Sequence, residues 1–574
     1  MLDTLWILLC TGLVFLMQAG FMCLESGLTR SKNSINVAVK NIADFGLSVA
    51  LFWALGYGVM FGSSWLGWLG TSDFLPNRDD GPQALLFLFQ AMFCGTATTI
   101  ISGALAERLK FTAYLAIAAW VSGLIYPLFG HWAWNAGGWL AQLGFHDFAG
   151  ATVVHGVGAW VSLAALPIVG ARRDRFSMDK ANPIQGSNLP FSVLGCLLLW
   201  FGWIGFNGGS TLALNDQVPG IILNTMLGGV AGMITAAIWS WVQHHHVDVG
   251  FLINGSIAGL VAITAGCDSF ETPIAVLVGA TGSVVMLLIA QQLTRLKIDD
   301  AVDAVAVHGA AGAWGTLAVG LFGDITGTVT GNRLEQVGIQ ALGIGVSVLW
   351  AFGITCLVLT IVQRFVSLRV SEEDEVIGLN VAEHHARTET YDLLRVMDTQ
   401  AQTLDLSLRV PVEPFTEVGH IATRYNQLMD NLEHNHRQNV DFLEEIYTLT
   451  TTVAVAVEHA AFSEAEMELA ELATRDDDLG VLSQQLLQLL QAIQARDRAL
   501  AQFQQGLHGA IAEQLRSRFP AQFTPEVEAS LQNHHDPQAL LRLYKQIQTG
   551  EPWGAIATQL LPSPSPTAGE SGGS

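Results

Sequence analysis

Eleven long apolar segments crowd the first 366 residues of this 574-residue chain. A helix needs about 20 mostly apolar residues to cross the hydrocarbon core of a bilayer. Helices suit that environment because they pair their own backbone N–H and C=O groups. We therefore predict an all-α membrane protein with eleven transmembrane helices, of which the eighth is the shortest. The segments lie at roughly 4–24, 42–62, 83–105, 112–130, 149–170, 190–210, 219–242, 250–265, 273–294, 304–323 and 338–364.

The basic residues between these segments predict the orientation of the chain. The loops after the first, third, fifth and ninth segments hold eleven Lys and Arg, whereas the intervening loops hold only Arg78 and Arg333. Because basic loops stay in the cytoplasm, the N-terminus is expected outside and the C-terminal tail inside a cell (inner or plasma) membrane. The first segment follows neither a basic leader nor a cleavage site, so we predict a retained span.

Charge divides the chain into two parts. Residues 1–366 contain 14 Lys/Arg and 19 Asp/Glu, a net charge of −5, and residues 367–574 contain 13 and 31, a net charge of −18. Only 13% of all residues are charged, against about a quarter in soluble proteins. This balance disfavours a soluble enzyme and a nucleic-acid-binding protein. All six cysteines lie in the first part without pairing or metal-ligand spacing, so no metal or cofactor is expected.

An internal repeat carries two histidines. Residues 155–160 read His-Gly-Val-Gly-Ala-Trp, and residues 308–314 read His-Gly-Ala-Ala-Gly-Ala-Trp. Asp147 and Asp300 each precede the histidine of their copy by eight residues. The copies are five spans apart, and an odd offset reverses their orientation in the membrane. The pattern predicts an inverted 5+5 repeat with a site near the bilayer midplane, where the two copies meet.

Ionisable groups at membrane depth are costly and usually mark a pathway. A single such histidine is as well explained by a hydrogen-bonded core position, but two at related positions favour a functional pair. Neutral imidazole both donates and accepts a hydrogen bond. The pair is therefore suited to passing a proton along or to holding a small polar solute in an apolar pore.

Several ordered motifs in residues 1–385 resemble the Amt/Rh ammonium transporter family. The resemblance implies a homotrimer with one pore per subunit, recruitment of the ammonium cation, and movement of ammonia and a proton past a twin-histidine pair. It also implies no catalytic residues. The matching stretches are 16–33, 103–108, 147–155, 202–210 and 299–309.

The resemblance assigns roles to the outer end of the pore. Phe93, Trp134 and Ser210 match the recruitment site for the cation, and Asp147 matches an acid that supports recruitment without touching the substrate. Aromatic faces stabilise a cation by about 0.5–2 kcal/mol each. Simple helix packing, an interfacial tryptophan or a packing serine would explain the same residues without a substrate.

The resemblance also assigns the rest of the pore. Phe89 is a vestibule aromatic, and Phe206 forms a stacked gate with Phe93. The pore beyond the gate is assigned to Trp203 and the twin histidines His155 and His308, with Asp300 as a supporting residue.

The sequence departs from the family pattern at a few positions. Asn135 stands where the family usually has glycine, and Trp132 is a rival for the role of Trp134. The stretch 375–385 resembles the cytoplasmic motif of the family, but it ends in His-His instead of His-Gly, which puts the close packing of this motif in doubt. The triple histidine at 244–246 is interpreted as a solvated loop, not a metal site.

The tail continues well beyond the usual end of such a transporter. We assign residues 1–366 to the membrane domain and 367–387 to the cytoplasmic motif. The tail begins with a helix, a Pro-containing connector, Glu-x-Gly and a second helix. This order of elements resembles a HAMP relay module, and it recurs in a weaker form later in the tail. An ordinary helical hairpin remains the alternative. The assigned tail segments are a HAMP-like module at 388–437, a second unit at 438–500, a helical tail at 501–561 and a disordered end at 562–574.

The leading hypothesis is an ammonium transporter or channel whose tail relays a signal. The alternatives are an ammonium receptor with little conduction, and a transporter with an inert tail for trimerisation. The expected partners are ammonium or ammonia, the lipid bilayer, further copies of the chain, and either a PII-type regulator or a separate signalling protein that binds the tail. HAMP modules pair as dimers, which conflicts with a trimeric membrane domain.

Overall fold

The computed structural model describes residues 1–177, 180–326 and 329–561. The chain forms two compact units, one covering Met1–Asp392 and the other beginning at Leu393. The terminal segment 562–574, predicted to be disordered, lies outside the described residues.

The described residues of the first unit contain ten helices long and apolar enough to cross a membrane, together with one shorter apolar helix. The predicted all-α membrane fold is confirmed, and the short helix α8 corresponds to the eighth apolar segment. The helices are α1 Leu2–Leu28, α2 Ser31–Phe61, α3 Gly81–Ala104, α4 Phe111–Leu143, α5 Ala151–Val169, α6 Leu189–Gly209, α7 Val218–His244, α8 Val249–Thr264, α9 Thr272–Arg295, α10 Val305–Phe322 and α11 Arg333–Gln363.

Polar caps begin several of these helices. The carboxylates of Asp80 and Asp248 accept the backbone N–H of Gln83 and Phe251 at 3.0 and 3.1 Å. Such caps supply acceptors for the first N–H groups of a helix. Two short antiparallel hairpins, Ser64–Trp65 with Leu69–Gly70 and Phe176–Ser177 with Lys180–Ala181, lie in the connections.

Small residues let the helices approach closely. A Cβ on Gly279 of α9 would lie 2.2 Å from the carbonyl oxygen of Gly228 on α7. A Cβ on Gly315 of α10 would lie 2.0 Å from the carbonyl oxygen of Ala262 on α8. Glycine is therefore required at both crossings, as is common where membrane helices pack backbone to backbone.

Both repeat histidines lie in π-helical turns. Ala151–Gly156 opens α5 and contains His155, and Val305–Ala310 opens α10 and contains His308. Such turns are rare and occur frequently at functional sites. The two copies of the sequence repeat therefore share a local backbone distortion at the same position.

The motif after the last span packs against the first unit. It forms α12 Glu372–Ile377 and α13 Leu379–His384. The Lys32 ammonium donates to the carbonyl of Glu375 at 2.7 Å, and the N–H of Leu379 donates to the Asn33 side chain at 2.9 Å. His385 takes the glycine-like φ of +52°, which costs about 1–2 kcal/mol. The doubt raised by the second histidine was wrong, because the motif docks with this residue in a left-handed conformation.

The described part of the tail consists of helices joined by irregular connections, the longest of them at residues 404–416. The helix predicted for 421–432 continues without interruption to His459, because residues 433–449 contain neither glycine nor proline. The assigned boundaries at 437/438 and 500/501 therefore fall inside helices. The tail elements are α14 Glu389–Thr403, α15 Glu417–His459, α16 Phe462–Leu472, α17 Asp478–Arg518, α18 Pro525–Gln532, α19 Pro537–Thr549 and α20 Trp553–Leu560.

Three small apolar clusters stabilise the tail. The first joins α14 to the start of α15, the second joins the end of α15 to α16 and α17, and the third joins the end of α17 to the last three helices. For the residues of the third cluster, the sequence predicted only amphipathic helices and not their packing together. Its buried members are Leu507, Ile511, Leu515, Val527, Leu531, Leu540, Leu543, Ile547, Ile556 and Leu560.

Candidate functional site

A pocket of about 320 Å³ brings the predicted recruitment residues together. Phe93, Trp134 and Ser210 all line it. The Phe93 and Trp134 rings meet edge to face with their centroids 6.2 Å apart. The Ser210 hydroxyl donates to the carbonyl of Phe206 at 2.8 Å, which leaves its oxygen lone pairs for an N–H of a ligand. The pocket therefore combines aromatic faces with a hydroxyl acceptor, as a small cation requires.

Asp147 lies behind this pocket and holds it in place. Its carboxylate accepts the backbone N–H groups of all four residues 150–153, at 2.8 to 3.1 Å. Its carbonyl oxygen accepts the indole N–H of Trp134 at 2.6 Å. Burial raises the pKa of Asp147, and the four N–H groups oppose part of that rise. Asp147 thus orients Trp134 and the start of α5 and acts as a positioning residue.

Two stacked phenylalanines form the floor of the pocket. Phe93 and Phe206 lie with their centroids 4.1 Å apart and their planes at 23°. Phe89 packs against Phe93 at 4.7 Å. All three rings are buried, so a solute can pass only if the phenyl groups move aside.

The twin histidines lie directly beyond this gate. The Nδ1 atoms of His155 and His308 are 3.2 Å apart, and the ring planes differ by 12°. Trp203 stacks on His155 at 5.1 Å and donates its indole N–H to Thr264 at 2.9 Å. Phe206 lies 5.4 Å from His155. The gate, the tryptophan and the histidine pair therefore form one continuous sequence of contacts.

The contact between the histidines has a direct chemical consequence. When both imidazoles are neutral, one Nδ1 must carry the proton and the other must accept it. The Nε2 atom of His155 is buried and has no hydrogen-bond partner within the described part of the chain. One polar atom in this apolar surrounding is thus available to a passing solute.

A larger pocket of about 570 Å³, called here the inner mouth, adjoins the small cavity beside His308 through Asn254 and Val302. Asp300, Asp303 and Asn254 line it, together with Arg172 and Arg175. Asp300 accepts the N–H of Val305 at 2.7 Å. Burial, and next the Asp303 carboxylate, raise the pKa of Asp300 to about 7. The predicted supporting acid is therefore at the inner mouth and apart from the outer pocket.

Comparison with known proteins identifies the chain. The profile of the Ammonium Transporter Family matches residues 5–389. This chain belongs to the ammonium transporter family. The sll0537 protein of Synechocystis sp., named as an ammonium transporter candidate, is 58% identical over 519 residues, which cover 88% of this chain and 96% of that protein. This alignment is longer than the family match at residues 5–389. The similarity to this relative therefore extends into the tail.

Other members of the ammonium transporter family match the membrane unit. Ammonium transporter Amt2 of Archaeoglobus fulgidus is 40% identical over 411 residues, covering 67% of this chain and 87% of that protein. A solved structure named Sensor Amt Protein is 40% identical with a TM-score of 0.65, and covers 67% of this chain and 98% of its own. Mep2 of Saccharomyces cerevisiae is 26% identical with a TM-score of 0.59, covering 65% and 88%.

Some candidate positions in this family member lie away from the outer pocket. Trp132 packs against Trp350 at 5.1 Å and donates to the carbonyl of Trp68, and it is not among the described residues that line the outer pocket. Asn135 donates to two backbone carbonyls and accepts one N–H, so it cross-links the outer loops. The residues 244–246 are exposed, and no metal-binding group of three was found among the described residues.

Sequence reasoning missed two polar residues beside the pore. Gln90 lines the outer pocket between Phe89 and Phe93. Glu25 lines a small cavity together with His308. The signal was present in the sequence, since a carboxylate inside an apolar span is unusual.

Proposed function

We propose that this chain carries ammonium across the membrane through the pore between the outer pocket and the inner mouth. The observation that supports the proposal most strongly is the order of the contacts. An aromatic pocket with a hydroxyl acceptor leads to a stacked phenyl gate, and the gate leads to a buried histidine pair with a 3.2 Å contact.

The outer pocket recruits the cation. Ammonium is strongly hydrated, and its transfer into an apolar medium without compensation is prohibitive. The rings of Phe93 and Trp134 compensate part of this cost through cation–π contacts, each about 0.5–2 kcal/mol. The Ser210 oxygen accepts one N–H. Asp147 adds a favourable potential while its carboxylate is occupied by backbone N–H groups.

Beyond the gate the substrate divides. The apolar surroundings of His155 disfavour a bare cation, so ammonium gives up its proton at this point. Neutral ammonia continues along the apolar lumen, and the proton passes to the histidine pair, whose Nδ1 atoms are in contact. Ammonia and proton thus cross the same constriction separately.

A current measurement tests this function. We expect full-length protein in liposomes to give a transient current after a step in external ammonium, and His155→Ala and Trp134→Ala to lose it. The surface variant Trp65→Ala, in the outer hairpin, is the matched control and retains the current. Absence of current in the wild type, together with saturable ammonium binding that depends on Trp134, would instead identify a receptor on a transporter fold.

The tail is proposed to relay the state of the pore through two HAMP-like units. Thr416 accepts the N–H of Gly419 at 2.9 Å, and Asp477 accepts the N–H of Gly480 at 3.0 Å. A Cβ on either glycine would lie within 2.1 Å of a backbone carbonyl oxygen. This shared geometry supports two copies of one module.

Deletion of residues 400–574 tests the relay. We expect ammonium currents to persist while the cellular response to ammonium is altered. An unaltered response would favour an inert tail. The similarity to a solved structure named Sensor Amt Protein supports the second candidate function, ammonium sensing, and is compatible with transport.

The assembly is proposed as a homotrimer in the cell membrane, with the N-terminus outside and the tail in the cytoplasm. The bias of basic loops supports this orientation. A PII-type regulator or a separate signalling protein is the proposed cytoplasmic partner. Mass measurement in detergent tests the trimer, and accessibility of single cysteines placed in the 64–70 hairpin and in the tail tests the orientation.

A further inference from the structure

One carboxylate beside the pore has no part in the function proposed so far. Glu25 lies on α1 and is 2% exposed. Its Oε2 accepts the side-chain N–H of Asn41 at 2.9 Å. The ring of Phe21, one helical turn earlier on the same face of α1, has its centroid 6.1 Å from that of His308. Glu25 therefore follows the histidine pair on the side of α1 that faces the pore.

A narrow cavity joins Glu25 to His308. Both residues line it, and the space open to water centres is about 20 Å³, enough for about one water molecule. Apart from these two residues and Asn254, its lining is apolar. A single water in this cavity would have an imidazole and a carboxylate as its partners.

The backbone of α3 is shaped to admit this carboxylate. A Cβ on Gly103 would lie 2.8 Å from Glu25 Oε1, so a larger residue there would displace the carboxylate. The charged groups that face Glu25 come from α2, where Lys40 and Asp44 lie one turn apart. Asp44 accepts the Tyr114 hydroxyl and is not among the described residues of the cavity lining.

The cavity leads on to the inner mouth. Asn254 and Val302 line both spaces. Asn254 also donates to the Asp303 carboxylate at 3.0 Å. The cavity beside Glu25 and the inner mouth therefore share a wall formed by Asn254 and Val302.

We propose that Glu25 accepts the proton that leaves the histidine pair and releases it to the inner mouth, an inference that rests on the proposed transport function. In the step, the imidazolium of His308 gives its N–H proton to the cavity water. The water passes one of its own protons to the Glu25 carboxylate. The imidazole becomes neutral, the water is regenerated, and the carboxyl group carries the proton. Release to water in the inner mouth restores the carboxylate.

The competing role for Glu25 is a brace between α1 and α2. Glu25→Gln separates the two roles, because the amide oxygen still accepts from Asn41 but cannot take up a proton. We expect Glu25→Gln to lower the ammonium-dependent current at least about tenfold and to leave the melting temperature unchanged. Asp44→Asn, which changes a buried carboxylate outside the cavity, is the matched control and retains the current. Equal currents in wild type and Glu25→Gln, or an equal loss in both variants, would overturn the proposal.

Infrared difference spectroscopy on the full-length wild type provides a readout independent of conduction. Addition of ammonium chloride should produce the C=O band of a protonated carboxyl group, shifted in deuterated buffer, present in Asp44→Asn and absent in Glu25→Gln. If the wild type gives no current but the band appears, the proposed transport fails while the proton uptake stands. Absence of the band in a wild type that conducts would refute the role of Glu25 alone.

Discussion

Two aspartates occupy the same place in the sequence repeat but differ in their surroundings. Asp147 accepts four backbone N–H groups. Asp300 accepts the N–H of Val305 at 2.7 Å, and its Oδ1 has no partner in the described parts of the chain. Three residues after each aspartate the backbone turns through positive φ, +112° at Gly150 and +59° at Asp303. Both copies of the repeat therefore contain this turn, but their carboxylates have different hydrogen-bond partners.

The two aspartates lie at opposite ends of the proposed pore. Asp147 lies behind the outer pocket and holds Trp134 through its backbone carbonyl. Asp300 is at the inner mouth, beside Asp303, and the pKa of its carboxyl is raised to about 7 by burial and by that neighbour. One repeat motif thus provides a fixed carboxylate at the entrance and a carboxyl group that titrates near neutrality at the exit.

Asp147→Ala should have the largest effect. Four buried N–H groups would lose their acceptor, at about 1–3 kcal/mol for each group left unpaired, and the start of α5 would no longer be held. We expect the melting temperature in detergent to fall sharply and the ammonium current to be abolished. Asp300→Ala, which leaves the N–H of Val305 without its acceptor, serves as the comparison. An equal loss in both variants would contradict the asymmetry.

Gly150→Ala should come next. Its positive φ disfavours any side chain at about 1–3 kcal/mol, and a Cβ would lie 2.6 Å from Val154 Cγ2 and 3.1 Å from the Trp134 ring. We expect lower thermal stability and weaker ammonium binding in a titration. The matched change in the other copy, Asp303→Gly, relieves a positive φ but removes the acceptor of the Asn254 amide, so it should lower the melting temperature less than Gly150→Ala. An unchanged melting temperature and unchanged ammonium binding in Gly150→Ala would show that the turn does not require its positive φ at this position.

A third, smaller effect concerns pH. The pKa of Asp300 is raised from 3.8 to about 7, so between these values the folded protein binds more protons than the unfolded chain. The contribution of this residue to stability must then fall as pH rises from 3.8 to about 7, and stay constant above. Asp300→Asn should lack this decline in a series of melting curves. An identical pH dependence in both proteins would show that Asp300 does not titrate in this range.

Asp303→Asn should have the smallest effect. The Asp303 carboxylate is the second cause of the raised pKa of Asp300, after burial, and asparagine keeps an acceptor for Asn254 and tolerates positive φ. We expect the midpoint of the pH-dependent stability to move to lower pH, with the current retained. An unchanged midpoint would mean that Asp303 is neutral in the folded protein.

The sequence was most informative where one physical constraint dominates. The bilayer demands long apolar helices, so ten spans and the short helix Val249–Thr264 followed from hydropathy alone. The proximity of His155 and His308 was foreseeable from the inverted repeat. The asymmetry of the two aspartates was not, because it depends on backbone N–H directions in the turns that follow them, and a sequence repeat does not specify these.

The packing of the tail was harder to predict from the sequence. The amphipathic pattern of residues 501–561 predicted helices, but it did not show that α17 to α20 close around one cluster, since periodicity defines an apolar face and not its partner. The length of α15 was missed because the assigned module boundary followed a resemblance instead of local helix signals. Glu25 was within a quoted motif, yet only the cavity beside His308 gives it a role.

The motif at 372–384 has a consequence for how this protein is made. The N–H of Asn36 donates to the Asn380 side chain at 2.9 Å, across 344 positions of sequence. Contacts of such separation form late and slow folding, and a ribosome extends the chain by only about 5–20 residues each second. The start of α2 must therefore wait on the order of tens of seconds for its partners. During that interval the Lys32 ammonium lacks its carbonyl acceptors.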